Sequence, residues 1–237
     1  MQQKPTSGCL KAGWLLFVGA MAVRTYGSLV VMLAVLLALV GCSFNVGSGT
    51  IIDENRPVSG FSRISVAGPV TVIVEENGNE SLTISADDNL LPSLTAAVSN
   101  NTLELAVEPG VSIGPTQNVV YRISVKDLRS FSLTGSGEAD LKNIDTDELT
   151  IEIAGSGQIT VSGHADTQIV DVSGSGDYVA ETLESSAATI TLSGSGSAVV
   201  NASQTLDVTI DGSGNVEYLG DPTVKQELNG SGGVQKR

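Results

Sequence analysis

Few residues in this chain carry groups suited to catalysis. The only histidine is His164, which lies in a polar stretch, and the two cysteines are Cys9 and Cys42. A general base must reach the proton that it removes, and a lone histidine in a polar loop is far more often solvated. The serines that recur between glycines lack the Gly-x-Ser-x-Gly pattern, and no glycine-rich phosphate motif carries a lysine. We therefore predict a protein that is not an enzyme and has no catalytic residue.

Cys42 follows a segment typical of exported proteins. A positively charged residue precedes an apolar run over residues 29–40, and small residues follow that run. This order defines a secretory signal peptide, and the run is shorter than the roughly 20 apolar residues that span a bilayer. We predict a signal peptide over residues 1–41 with cleavage between Gly41 and Cys42. The natural start is expected at Met21, unless the residues before it form a long positive region.

The segment Leu39-Val-Gly-Cys42 resembles the lipobox of bacterial lipoproteins. In that family the cysteine thiol carries diacylglycerol, and the amino group that cleavage frees is acylated. The resemblance implies that Cys42 is the lipid attachment residue and that residues 42–60 tether the protein to a membrane. Each buried methylene contributes about 0.8 kcal/mol, so several acyl chains hold firmly. Ser43 stands where an inner-membrane retention signal has aspartate, which favours the outer membrane. The alternative is a buried Cys42 in an uncleaved membrane helix.

The charge of the segment after residue 41 excludes some partners. It holds nine basic and 26 acidic residues, a formal charge of −17, which repels nucleic acid and anionic headgroups. One mature cysteine allows no internal disulfide and no Cys/His zinc site. Asp145, Asp147 and Glu148 could hold one calcium ion, but solvated acids are the favoured interpretation, because calcium repeats need an acid at each rung. We predict no metal and no cofactor.

A Gly-Ser-Gly triplet recurs with a nearly constant period. The spacings are 20, 19, 20, 18 and 18 residues, and the first glycines are Gly135, Gly155, Gly174, Gly194, Gly212 and Gly230. Apolar residues stand two and four positions before almost every first glycine, with polar or small residues between them. Alternation of period two on both sides of a turn predicts strands with one buried face, which a flexible linker does not show.

This repeat predicts an all-β fold, a parallel β-helix or solenoid of about six coils of 18–20 residues over 131–237. The serine ladder at the corners, from Ser136 to Ser231, is expected to be structural, with hydroxyls that complete the turns. Residues 61–130 predict an irregular β block that caps the first end, and Asn77-Gly78 predicts a hairpin there. The last repeat ends soon after Val234, so we expect self-association through an open C-terminal coil.

The order of these motifs is similar to one known family. Phe61-x-x-Ile-x-Val, the strand from Val70, Ala86-Asp-Asp-Asn-Leu-Leu and Lys126-Asp-Leu-Arg precede the serial Gly-Ser-Gly turns. Together they resemble the head-GIN-domain family, which is named for auto-transporter adhesins, over about residues 58–235. The resemblance implies a β-helical fold and an envelope location. It supplies no catalytic or ligand-binding residue.

The expected function is a lipid-anchored envelope protein with a non-catalytic binding, adhesin-like or structural role. Its partners would be the membrane, through the N-terminal lipid, and a protein or glycan of unknown identity. The alternative is an envelope polysaccharide lyase or glycosidase on a β-helix. Such enzymes line a groove with basic and aromatic residues, whereas the outward positions of these repeats are Ser, Thr, Asp and Glu.

Overall fold

The computed structural model describes residues 47–109, 111, 113–114 and 118–237. These residues form fifteen strands, one 3₁₀ helix at Leu91–Ser93 and no α-helix. The strands are β1 (Ile51–Arg56), β2 (Arg63–Ala67), β3 (Thr71–Glu76), β4 (Ser81–Asp87), β5 (Leu94–Ser99), β6 (Thr102–Val107), β7 (Val120–Val125), β8 (Ser130–Gly135), β9 (Glu138–Gly155), β10 (Gln158–Gly174), β11 (Asp177–Gly194), β12 (Ser197–Gly212), β13 (Asn215–Leu219), β14 (Thr223–Gly230) and β15 (Gly233–Lys236). In the described ranges, no helix is long and apolar enough to cross a membrane.

Strands β9 to β12 build the solenoid. Each runs for 16 to 18 residues from one Gly-Ser-Gly corner to the next and pairs in parallel with the strand above it. The first glycines of successive corners are register partners, as in Gly155 with Gly174 and Gly174 with Gly194. The predicted solenoid is thereby confirmed. Its six corners enclose about five turns rather than the expected six coils.

The inward positions of the repeats form one continuous apolar core. Phe131, Ile151, Val170, Ile190 and Val208 occupy equivalent positions before successive corners, and none is more than 3% exposed. Outward neighbours of these residues are partly or fully exposed, and all of them are polar except Ile169. Burial of apolar surface stabilises by about 25 cal/mol per Å², so this column is the main driving force for stacking the turns.

The parallel stacking begins before the first Gly-Ser-Gly corner. Strand β2 pairs in parallel with β6 and β8, and β3 pairs in parallel with β7 and β9. Between β2 and β3 the chain turns at Gly68, whose φ is +118° and whose N–H donates to the carbonyl oxygen of Thr134 at 2.9 Å. The corner at Gly68, which lacks the Gly-Ser-Gly triplet, therefore stacks under the first triplet corner, at Gly135.

Antiparallel strands end the solenoid on its N-terminal side. Strand β4 pairs with β7, β1 pairs with β4, and β5 pairs with β6, all antiparallel. The expected hairpin at Asn77-Gly78 is wrong in its pairing: the residues do turn the chain, but β7 lies between β3 and β4. Both edges of β3 are occupied by parallel neighbours, so β4 pairs with the outer edge of β7.

At the other end, the last turn is the least buried part of the repeat. Leu228 in β14 is 40% exposed, whereas Ile210, its register partner in the preceding turn, is fully buried. Val224 and Val234 are only partly buried. Self-association through this end stays a prediction.

Glu80 joins the start of the β block to its middle. Its carboxylate accepts hydrogen bonds from the backbone N–H groups of Gly60 (2.8 Å) and Phe61 (3.2 Å) and from Lys126 Nζ (2.7 Å). The hydrogen bond from Lys126, followed by the two backbone bonds, holds the pKa of Glu80 below its usual range. A carboxyl group whose pKa is lowered by folding stabilises the fold above its unfolded pKa. That contribution is lost as the pH falls through the folded pKa.

We therefore expect Glu80→Gln to lower the urea midpoint of unfolding at pH 7, and we expect the deficit to shrink as the pH falls below about 4. Glu227→Gln is the matched control, because Glu227 is exposed and forms no ion pair with the described residues. Urea titrations followed by circular dichroism at both pH values measure the difference. A deficit for Glu80→Gln that is equal at both pH values would contradict the assignment.

Candidate functional site

The predicted lipid attachment residue Cys42 and the cleaved bond after Gly41 lie outside the described residues. The signal peptide, the cleavage and the lipid stay predictions. The described part of the predicted tether begins at Gly47 and includes β1, which belongs to the sheet and pairs with β4. Strand pairing therefore begins at Ile51, within the segment predicted to be a tether.

The corner serines are exposed and bond through their backbone. The N–H of Ser156 donates to the carbonyl oxygen of Gly135 at 2.9 Å, and the N–H of Ser195 donates to that of Gly174 at 2.8 Å. The six hydroxyls form no hydrogen bond with another described residue. The corners are thus closed by backbone bonds between turns, rather than by the hydroxyl bonds that the sequence suggested.

His164 lies within strand β10, beside acidic residues, and not in the polar loop that the sequence suggested. Its Nε2 is 3.3 Å from Asp166 Oδ1, and both side chains are at least half exposed. Its register partners in the turns below and above are Asp145 and Glu184. Within the described part of the chain, no hydroxyl or thiol is hydrogen-bonded to this imidazole, so the pairing that activates a nucleophile is not formed here.

The three acids considered for calcium do not converge. Asp145, Asp147 and Glu148 follow one another along β9, and all three side chains are exposed. Over the described ranges, no group of three or more His, Cys, Asp or Glu side chains is arranged to hold a metal ion. Asp147 and Glu148 instead contribute to a surface cleft.

That surface cleft, called here the arginine cleft, has a volume of about 470 Å³. Its floor is an outward column of neighbouring strands, in which Arg63 of β2 is the register partner of Ser130, and Ser130 that of Thr150. The segment Thr146–Glu148 of β9, called here the wall, and Arg129 also line the cleft. Neighbouring parallel strands lie about 4.8 Å apart, so side chains in register repeat at that spacing. The side chains of Arg63, Ser130 and Thr150 therefore form a row over roughly 10 Å.

The two arginines of the cleft differ in their partners. Arg129 Nε lies 2.7 Å from Asp127 Oδ2, and this hydrogen bond, with the charges of Asp127 and Asp147, raises the pKa of Arg129. Thr146 Oγ1 donates to the other oxygen of Asp127 at 3.3 Å. Arg63 forms no ion pair or hydrogen bond through its side chain with any described residue. Sequence reasoning missed Arg63, because only the pairing of β2 with β8 and of β8 with β9 places it in line with the hydroxyls of Ser130 and Thr150.

The fold and this surface define a β-solenoid protein whose interior is packed and whose exposed faces are polar. A model of the family described as "Putative auto-transporter adhesin, head GIN domain" matches residues 60–222. The chain belongs to this family, as the motif order suggested. No curated protein matches the sequence.

Solved structures share the fold over most of the chain. A "putative adhesin" from Bacteroides fragilis is 22% identical with a TM-score of 0.65, covering 81% of this chain and 99% of its own. A "putative lipid binding protein" from Parabacteroides distasonis is 25% identical with a TM-score of 0.54, covering 81% and 98%. A "putative adhesin" from Parabacteroides merdae is 18% identical, with a TM-score of 0.54 and the same coverage.

Proposed function

We propose that this protein is exported, lipid-anchored in the bacterial cell envelope through Cys42, and carries a non-catalytic, adhesin-like binding role. The observation that carries the anchor is the segment Leu39-Val-Gly-Cys42 directly behind a short apolar run. Membership of a family named for adhesins supports the binding role and an exported location. Ser43 after the cysteine supports the outer membrane as the destination.

The packed interior supports binding at the outer surface. Inward residues of the turns, such as Ile159, Tyr178 and Ala198, are fully buried, so they fill the solenoid with side chains. One related structure is named a "putative lipid binding protein". In this chain a lipid would contact the solenoid from outside or be attached at Cys42. The protein is thus a rigid support that presents its polar faces to a partner.

The anchor is tested in a bacterial host that expresses the full chain. Globomycin, which blocks the lipoprotein signal peptidase, is expected to cause the precursor to accumulate. Labelled palmitate is expected to enter the protein, because the cysteine thiol carries the lipid. Cys42→Ala is expected to abolish the label, while Cys9→Ala, which removes the other cysteine of the chain, leaves it unchanged. Full labelling of Cys42→Ala would show that the anchor is wrong.

The alternative function is a polysaccharide-active enzyme. The arginine cleft is the observation in its favour, since it places two arginines beside Asp147 and Glu148. Cleavage of a bound acidic oligosaccharide, seen as new reducing or unsaturated ends, would support the enzyme and contradict the non-catalytic role. Incubation of the purified chain with an acidic oligosaccharide, followed by assays for reducing and unsaturated ends, makes this measurement.

A further inference from the structure

Arg63 is exceptional among the basic residues of the described chain. Seven of the nine form ion pairs: Arg56, Lys126, Arg129, Lys142, Lys225, Lys236 and Arg237. Arg122 donates a hydrogen bond to Ser85 Oγ at 2.7 Å. Arg63 does neither, although acidic residues outnumber basic ones nearly threefold after residue 41. A guanidinium with five unused donors suits a planar oxyanion from outside the protein.

The surroundings of Arg63 restrict the chemistry of that ligand. Ser130 and Thr150 continue the row beyond the guanidinium and offer hydroxyls that both donate and accept hydrogen bonds. Asp147 and Glu148 on the wall offer only acceptors while ionised. A ligand that fits all of these groups carries an acidic group at one end and several hydroxyl donors along its length.

Charge further limits the number of acidic groups in the ligand. The wall acids and the net charge of −17 repel a ligand with dense negative charge, such as a polyphosphate or a nucleic acid. A neutral glycan would leave the Arg63 guanidinium without an anionic partner. A carboxylate-bearing sugar, with one carboxylate and several hydroxyls per unit, satisfies both conditions.

We propose that the arginine cleft binds a carboxylate-bearing saccharide. Arg63 holds the carboxylate through two parallel N–H···O bonds, the hydroxyls of Ser130 and Thr150 bond to the sugar, and Asp147 and Glu148 accept hydrogen bonds from sugar hydroxyls. This inference rests on the proposed binding role and deepens it, because it names a ligand class and the residues that recognise it.

The test uses the purified full chain in detergent and trigalacturonic acid as the probe, with calorimetric titration as the readout. The uncharged methyl ester of the same trisaccharide is the matched ligand, because it keeps the hydroxyls and removes the charge. The acid is expected to bind at least about tenfold more tightly than the ester, since hydrogen bonds between a guanidinium and a carboxylate are charge-assisted and stronger than those between neutral groups. Equal affinity for acid and ester, or no binding at millimolar concentration, overturns the proposal.

Three variants separate recognition by Arg63 from general electrostatics. Arg63→Gln is expected to weaken binding about tenfold or more. The affinity of Arg63→Lys is expected to lie between those of Arg63→Gln and the natural chain, because lysine keeps the charge but loses the bidentate geometry. Lys225→Gln removes the same charge from the same outward column, six rungs further along, and is expected to change affinity less than twofold. Equal losses for Arg63→Gln and Lys225→Gln overturn the proposal.

One further result overturns the proposal: tighter binding of the zwitterionic peptide triglycine than of the trisaccharide would assign the cleft to peptides. Conversion of the probe to shorter products would support binding of the saccharide but would contradict the non-catalytic role. Failure of this proposal leaves the anchor at Cys42 untouched, because palmitate labelling tests that anchor separately. Circular dichroism of each variant checks the fold, and the exposed position of Arg63 predicts no change.

Discussion

Gly194→Ala is expected to destabilise the solenoid by roughly 3–5 kcal/mol. Gly194 has a φ of +132°, a conformation that residues with a side chain rarely adopt. It also stacks on Gly174 in the turn below, and an alanine Cβ would overlap the carbonyl oxygen of Gly174. That oxygen accepts the N–H of Ser195, so the backbone cannot move away without loss of a corner hydrogen bond. Urea unfolding followed by circular dichroism measures the loss.

The neighbouring substitution Ser195→Ala is the matched control. Ser195 is exposed, and its hydroxyl forms no hydrogen bond with the described residues. We therefore expect the free energy of unfolding of the Ser195→Ala variant to stay within about 0.5 kcal/mol of that of the natural chain. If Ser195→Ala were as damaging as Gly194→Ala, the hydroxyls would close the corners after all. If neither changed stability, the stacking of corner on corner would be wrong.

Gln168→Leu is expected to cost about 1–3 kcal/mol for a different reason. Gln168 is fully buried in the apolar core, where its Oε1 accepts a hydrogen bond from the Tyr178 hydroxyl at 3.1 Å. Its Nε2 donates to Ser185 Oγ at 2.7 Å and to the carbonyl oxygen of Asn201 at 3.3 Å. Burial raises the pKa of Tyr178 far above its ordinary value, so the phenol is a neutral donor. Leucine would leave that hydroxyl buried without a partner.

A double-mutant cycle distinguishes this polar cluster from simple packing. Tyr178→Phe alone leaves Gln168 Oε1 without its donor, whereas Gln168→Leu combined with Tyr178→Phe removes both polar groups. We therefore expect the double variant to be more stable than the sum of the single losses predicts, by about 1 kcal/mol or more. Additive losses in urea titrations would show that the Gln168–Tyr178 hydrogen bond contributes little.

The sequence was sufficient for the repeat because burial follows the pattern of residues directly. Ile151 and Ile153 alternate with polar neighbours, and both are buried as predicted. These features depend on local periodicity, which a strand or a turn imposes on its own sequence.

Features that depend on distant pairings could not be found in this way. Strand β2 lies between β6 and β8, and no local pattern in Arg63–Ala67 indicates which strands it contacts. The partners of Gln168 come from the two following strands, and only a glutamine in an otherwise apolar inward column hinted at them. The arginine cleft likewise forms only when β2, β8 and β9 are stacked. Cleft residues that come from separate strands can be identified only when the register of the sheet is known.

The most direct test of the lipid anchor is the mass of the N-terminal peptide of the mature protein, purified from bacterial membranes and cleaved after Arg63. We predict that this peptide begins at Cys42 and carries a diacylglyceryl group on the thiol together with an acyl chain on the amino group. The peptide from Cys9→Ala is expected to be identical. An N-terminus at any other residue, or an unmodified Cys42, would contradict the proposed lipid anchor.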